Sequence, residues 1–449
     1  MVKVRTQTAL GRRQFLRSTA AAGAAIALSP MIARGSSASK SDDLNIALLG
    51  AGEQGMTLLE AAIQIPAIHF AAVCDIWPYH LKWASGRLRA YRHKHSTYAD
   101  YRDMLAAEKD LDAVLIATPD FWHSEQAVAC LEAGLNVYCE KEMSNTLDGA
   151  RKMVAAARRT GRLLQIGHQR RSNPNYIHCH DTLLGKARIL GRITTVNGQW
   201  NRAAKGFNGC PRGQEMDAAT LGKYGYESME QFLNWRWCKG LGGGPMVDLG
   251  SHQIDVYNWF LGALPRCVTA HGAHNFFDKA THQWPDNVMA IYEYDTPTGP
   301  VSAFYQTIAT NSCNGYYEAF MGNEGTLVIS EPAHRCGVYP EPYNPAGHWD
   351  NWVRAGYLDA PKKQPEKPKI PGAVDARESV PPPKYLLPEI PANLYHQGHL
   401  RNFFNAIRGK EKLTCPADIG YETAVCVLKV NQAIEAGEKL SFTPDEFKA

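Results

Sequence analysis

Between residues 44 and 167 short apolar runs alternate with longer stretches of helical period. The runs 45–49, 69–74, 113–117, 136–139 and 163–166 are almost wholly apolar, as strands buried on both faces require. Stretches 56–65, 80–91, 124–133 and 147–160 read as the helices between them. Strands joined by helices make a parallel, doubly wound sheet, and such sheets take ligands beyond the carboxyl ends of their strands. The segments at those ends are 50–55, Asp75, 118–123, 140–141 and 167–171. After residue 171 the pattern changes. A helical stretch at 175–184 and an alternating strand at 193–200 lead into a polar excursion that runs to residue 238. A helix at 251–261 follows, then strands at 266–274, 287–294, 301–308, 317–321 and 326–329 with no helices between them. That order predicts an α+β carboxy-terminal domain with a large, mainly antiparallel sheet. Residues 331–391 hold 13 of the 26 prolines, together with tryptophans and tyrosines, which predicts a long ordered loop over the surface. Helices return at 399–407 and 419–435.

The first strand runs into Gly50-Ala51-Gly52-Glu53-Gln54-Gly55, and a helical pattern leaves it. Asp75 ends the second strand, 20 residues past Gly55. This is the arrangement of a Rossmann dinucleotide site. Gly50 permits the tight turn, Gly52 lets backbone approach the pyrophosphate, and Gly55 lets helix and strand pack closely. The pyrophosphate sits on the free N–H groups of the helix start. Asp75 accepts hydrogen bonds from the adenosine ribose and repels a 2′-phosphate, and its neighbours Cys74, Ile76 and Trp77 offer no arginine to neutralise one. The cofactor expected is NAD.

Residues 1–38 read as a leader: Arg12-Arg13-Gln14-Phe15-Leu16-Arg17 precedes a mildly apolar, alanine-rich stretch, the pattern of a twin-arginine export signal. Cleavage is expected between Ala33 and Ala38. The predicted location is the periplasm, with the protein exported already folded. The leader holds six basic residues and no acidic one, so its removal takes the formal net charge from +4 to −2. Nothing then calls for nucleic acid or an anionic membrane surface, and no apolar run is long enough to span a bilayer. The 11 cysteines show no CxxC; Cys74 and Cys139 fall in strands and are expected as buried thiols. About 410 remaining residues suggest two domains, 41–168 and 169–449.

Four local matches make the chain similar to the glucose–fructose oxidoreductase, inositol dehydrogenase and MocA family (Gfo/Idh/MocA). They are the Gly50–Gly55 fingerprint; Ala117-Thr118-Pro119 with His123 and Ala133-Gly134-Leu135-Asn136-Val137; Cys139-Glu140-Lys141; and Gly242-Gly243-Gly244-Pro245-Met246-Val247-Asp248-Leu249-Gly250-Ser251-His252. The departure is Glu142, where the family writes proline; it is expected to loosen the turn that holds Lys141 and to add a negative charge beside it. The resemblance implies catalysis by Lys141, Asp248 and His252. It implies cofactor contacts at Gly50, Gly52, Gln54, Gly55 and Asp75. Thr118, Pro119, His123, Glu140, Lys141 and Gln169 complete that set.

These residue types suit the chemistry. Oxidising a secondary alcohol needs a base for the hydroxyl proton and a nicotinamide for the hydride. Lys141, at a strand end, stabilises the alkoxide or shuttles the proton, provided burial or a cation neighbour lowers its pKa. Asp248 and His252 are four apart on the expected helix and share a face; Asp248 orients the hydroxyl and His252 acts as base. Without the glycines in front of them they would read as a helix-terminal carboxylate and a core histidine. Arg170, Trp122 and Trp235 are candidates to clamp or stack on a sugar. His178-Cys179-His180 looks like a metal cluster, but adjacent helical positions do not share a face, and no metal is expected. The predicted activity is hydride transfer between NAD and a hydroxyl of a sugar, cyclitol or sugar derivative, in a homo-oligomer. One alternative is a glycosidase that oxidises a ring hydroxyl transiently on bound NAD; that branch of the fold lacks the Glu-Lys pair, which Glu140-Lys141 retains. The other is a non-catalytic sugar sensor, against which the intact trio argues.

Overall fold

The computed structural model describes residues 42–204, 206–345, 347–361, 382–389 and 396–449. The expected leader and part of the proline-rich segment lie outside the described residues. Apolar runs become strands where neighbours can cover both faces. β1 (Leu44–Leu49), β2 (Ile68–Cys74), β3 (Ser96–Tyr98), β4 (Ala113–Ile116), β5 (Asn136–Cys139) and β6 (Leu164–Ile166) form a parallel sheet in the order β3-β2-β1-β4-β5-β6. This is the dinucleotide-binding order, with its switch point between β1 and β4. Its helices are α1 (Glu53–Ala62), α2 (Pro78–Ala90), α3 (Tyr101–Ala107), α4 (Asp120–Glu132) and α5 (Leu147–Thr160). α5 shows why these stretches are helical: Thr146 caps it by accepting the Gly149 N–H at 3.1 Å, and Gly161, at φ 66°, ends it.

The second sheet contains β7 (Ile193–Asn201), β8 (Pro265–Ala273), β9 (Asn287–Thr296), β10 (Gly299–Ile308), β11 (Tyr316–Gly322), β12 (Gly325–Ile329), β13 (Gly337–Pro340) and β14 (Leu440–Ser441). Its order is β13-β12-β11-β7-β10-β9-β8-β14, antiparallel throughout except between β7 and β10. The large antiparallel sheet expected from the strand run is present. The segment 331–391 is not only loop, because β13 and the short helix Asp350–Arg354 fall within it. The helical stretch expected at 175–184 is one α-turn, Pro174–Ile177, continued by a wider π-type helix, His178–Lys186.

The amino-terminal sheet is covered on one face by a helix from the far end of the chain. Leu400, Phe403 and Phe404 of Gln397–Ile407 are buried among Ile46, Leu48, Phe70 and Tyr138. Burying side chains of that size contributes about 1.5–3 kcal/mol each. The tract 169–449 is therefore not one packing unit: its penultimate helix belongs to the core of the first domain. The last long helix, Ala417–Ala436, packs against β8, α5 and the turn at Met246–Gly250. Cys74 and Cys139 are buried thiols, and all 11 cysteines are unpaired. Among the described residues no helix is long and apolar enough to cross a membrane.

Candidate active site

A cavity of about 720 Å³ runs along the carboxyl ends of β1, β2, β4 and β5 and under the excursion that follows β7. At one end lies the glycine turn. Gly50 has φ +82°, and a Cβ there would lie 2.7 Å from the Ala117 carbonyl oxygen. A Cβ on Gly55 would fall 1.9 Å from the Gly50 oxygen, so this glycine packs helix on strand and does not face the cavity. A Cβ on Gly52 would meet only His80, at 3.4 Å, leaving its cavity side open. No side chain caps the start of α1. These free N–H groups and the open glycine fit a dinucleotide phosphate.

Asp75 stands beside that turn. Its Oδ2 accepts the Ala51 N–H at 2.7 Å and lies 3.1 Å from His80 Nδ1; its Oδ1 accepts the Trp77 N–H at 2.8 Å. The carboxylate is thus aimed by its own loop before any ribose hydroxyl reaches it. Gln54 also lines the cavity, 3.0 Å from His396 Nε2. Thr118, Pro119, Glu140 and Gln169 line its wall. His123 does not reach it. Its ring is buried between the carbonyl oxygens of Thr118 and Glu142, 2.7 Å from each, and ties the Thr118 turn to the loop carrying Lys141.

At the other end Lys141, Asp248 and His252 come together. Lys141 Nζ lies 3.1 Å from Asp248 Oδ1 and also donates to the Asp248 carbonyl oxygen. The helix expected from Asp248 onward is a wide π-type turn over Met246–Gly250 followed by Ser251–Leu261, and Asp248 and His252 still face the same cavity. Burial pushes the Asp248 carboxyl up, but Lys141, Arg236 and Arg202 outweigh it and hold the group well below the usual carboxylate range. Burial, with Lys141 and Arg170 nearby, pushes His252 well below the usual imidazole range, so its ring is neutral at physiological pH. Its Nδ1 is buried and unpaired, which leaves Nε2 as the nitrogen open to the cavity.

Two expectations change here. Glu142 adds no full negative charge beside Lys141: it is buried, its carboxyl is pushed up to about 8 chiefly by that burial, and its Oε1 accepts the Met143 N–H at 2.7 Å. Nor is the Lys141 loop left loose, since His123 anchors it. The second is Arg170, which does not clamp a substrate. It is buried away from the cavity, paired with Glu318 and, at 3.4 Å, with Glu331, and it lies over the rings of Trp200 and Tyr316. Trp122 and Trp235 do line the cavity, and Arg236 stacks on Trp235 with its guanidinium 4.4 Å from the ring centre. The residues of 178–180 diverge: His178 meets the Tyr357 carbonyl, Cys179 is buried, and His180 stacks on Trp259.

Sequence reasoning missed Asp120, Arg202, Arg236 and His396, all in the cavity wall. Asp120 was within reach, because it opens α4 directly after Thr118-Pro119. Burial and the nearby Asp248 carboxylate push it up to about 7. The arginines sit in the polar excursion, where no local spacing marks them.

Residues 44–168 match the model of an oxidoreductase family with an NAD-binding Rossmann fold, and residues 186–328 match that of the GFO/IDH/MocA C-terminal domain. D-glucoside 3-dehydrogenase of Escherichia coli is 27% identical over 273 residues, 58% of this chain and 69% of that protein. A glycosyl hydrolase family 109 protein of Stenotrophomonas maltophilia is 32% identical over 145 residues, 31% of each chain. Among solved structures, the WlbA dehydrogenase of Bordetella pertussis in complex with NADH and UDP-GlcNAcA shares the fold, with a TM-score of 0.64 at 17% identity over 89% of this chain and 98% of that one.

Proposed function

The chain belongs to the GFO/IDH/MocA oxidoreductase family, and from that premise we propose that it oxidises a secondary hydroxyl of a sugar, cyclitol or sugar derivative with NAD. The observation that carries this reading is the contact of Lys141 Nζ with Asp248, 3.1 Å apart in one cavity with His252 and the glycine turn. Asp75 and the start of α1 would hold the dinucleotide, which when bound supplies the hydride acceptor. Asp248, kept ionised, orients the substrate by accepting a hydrogen bond from a hydroxyl beside the reacting one. His252, kept neutral, takes the hydroxyl proton at Nε2. Lys141 stabilises the alkoxide oxygen as that proton leaves. The D-glucoside 3-dehydrogenase supports a sugar as substrate class. The family 109 relative supports a second reading, glycoside cleavage with no net redox change; the retained Lys141 favours the dehydrogenase.

A screen of sugars, cyclitols and aryl glycosides on the holoprotein tests this, following NADH absorbance and product mass together. Stoichiometric NADH and a ketone product are expected; aglycone release without net NADH would establish the alternative. The site-residue roles, a tightly held cofactor and a homo-oligomeric assembly belong to this same reading. So does export to the periplasm, supported by Arg12-Arg13 and the stretch behind them. Replacing both arginines by lysine should leave the precursor in the cytoplasm with its leader attached; normal arrival in the periplasm would refute it.

A further inference from the structure

Three cations converge on Asp248, and two of them have donors to spare. Oδ1 faces Lys141, while Oδ2 lies 3.5 Å from Arg202 Nη2 and 3.5 Å from Arg236 Nε. Those last two contacts are Coulombic: among the described residues neither guanidinium donates a hydrogen bond to the protein. Each carries five N–H donors in a rigid fork. Both side chains are about half exposed, and both line the cavity beside the place where the reacting hydroxyl must sit. Arg236 is further fixed by lying on the face of Trp235. Lys141 alone hydrogen-bonds Asp248, so the donors of both guanidinium forks are left unused by it. Asp120 lies near Arg236, and Glu331, also in the cavity wall, is taken by Arg170 and Gln169.

We propose that Arg202 and Arg236 form a subsite for a carboxylate on the substrate, so that the preferred substrate is a sugar acid, such as a uronic or aldonic acid, rather than a neutral sugar. The inference rests on the hydroxyl-orienting role of Asp248 proposed above. A planar monoanion can take paired N–H donors from a guanidinium fork. A phosphate monoester shares this chemistry, but its second charge would be set against Asp248 and Asp120, so the carboxylate is favoured.

Calorimetric titration of the NAD-loaded protein tests the subsite without requiring turnover. The probes are matched gluco, galacto and manno sets, each with the hexose, the hexuronate and the hexose 6-phosphate. In the best-binding configuration the uronate should bind about tenfold or more tightly than the hexose, and the gap should narrow as salt is raised. In Arg202→Gln/Arg236→Gln, with folding checked by melting and NAD content, the gap should close. Arg236→Lys, which keeps charge but loses the fork, should keep only part of it. Equal binding of acid and neutral sugar, a gap that survives in the double variant, a preference for the phosphate, or no uronate binding at millimolar concentration would each overturn the proposal. If uronates bind selectively but no NADH forms with any sugar, the subsite stands and the dehydrogenase reading falls. If neutral sugars are oxidised without a uronate preference, the reverse holds.

Discussion

Asp120 and Asp248 share one wall of the cavity with their ionisations pushed in opposite directions. Burial and the Asp248 charge push Asp120 up to about 7, whereas Lys141, Arg236 and Arg202 overcome burial at Asp248 and keep it ionised far below that. On the proposed reading, two carboxyls pushed apart in this way would divide the labour of binding and proton handling.

This pair sets the pH dependence. His252 stays neutral until the pH falls well below the usual imidazole range, so it leaves no limb near 6.5. Asp120 does titrate near neutrality. Its ionised form faces Lys141 and favours loss of the hydroxyl proton, so kcat/KM for oxidation should rise with a midpoint near pH 7. In Asp120→Asn the rise should vanish from the pH–rate profile; its persistence would assign it to another group.

Lys141→Ala and His252→Ala should each lower kcat by about a hundred- to ten-thousandfold, as loss of a positioned proton-transfer group does, while NAD content is unchanged. Asp248→Ala should also raise KM, since it removes the group proposed to orient the substrate. Steady-state kinetics with cofactor quantified by mass spectrometry measures both. Near-normal turnover in the first two variants would end the catalytic assignment.

On the proposed reading Asp75 sets cofactor choice. Its carboxylate, held by Ala51, Trp77 and His80, stands where a 2′-phosphate would meet a negative charge. Asp75→Ala should shift the ratio of NAD to NADP affinities by about ten- to a hundredfold toward NADP. Fluorescence titration with both cofactors reads this directly, and an unmoved ratio would show that selectivity lies elsewhere.

Glu142 couples stability to pH. Its carboxyl ionises at about 8 in the fold against an ordinary value of 4.5, so its contribution is complete below about 4.5 and is lost as pH rises through about 8. Glu142→Gln keeps an acceptor for the Met143 N–H and has no charge to bury. It should match the parent near pH 4 and exceed it by a few kcal/mol at pH 9, measured by denaturant unfolding. A difference independent of pH would refute this.

What the sequence made legible was local. The Gly50–Gly55 turn, Asp75 and the pair Asp248 and His252 announce themselves because their partners lie within one element or one strand-helix step. Lys141 was readable from its place at a strand end. Arg170 occupies an equivalent strand-end position, but its partners are hidden from the local sequence: Glu318 lies in β11, 148 residues on, and Glu331 just after β12, 161 residues on. Arg202 and Arg236 gave no signal for the same reason: their meaning comes from Asp248, which only the folded excursion brings near. Among strands, β3, β13 and β14 escaped notice; they are short outer strands with few buried positions to impose a pattern.

The helix Gln397–Ile407 carries a consequence for synthesis. A ribosome releases the six parallel strands and the glycine turn long before it makes Phe403 and Phe404, which cover the face of that sheet over Ile46 and Phe70. The dinucleotide domain is thus first in translation order but among the last to close. A nascent chain halted before that helix would leave that apolar face of the sheet open to chaperones.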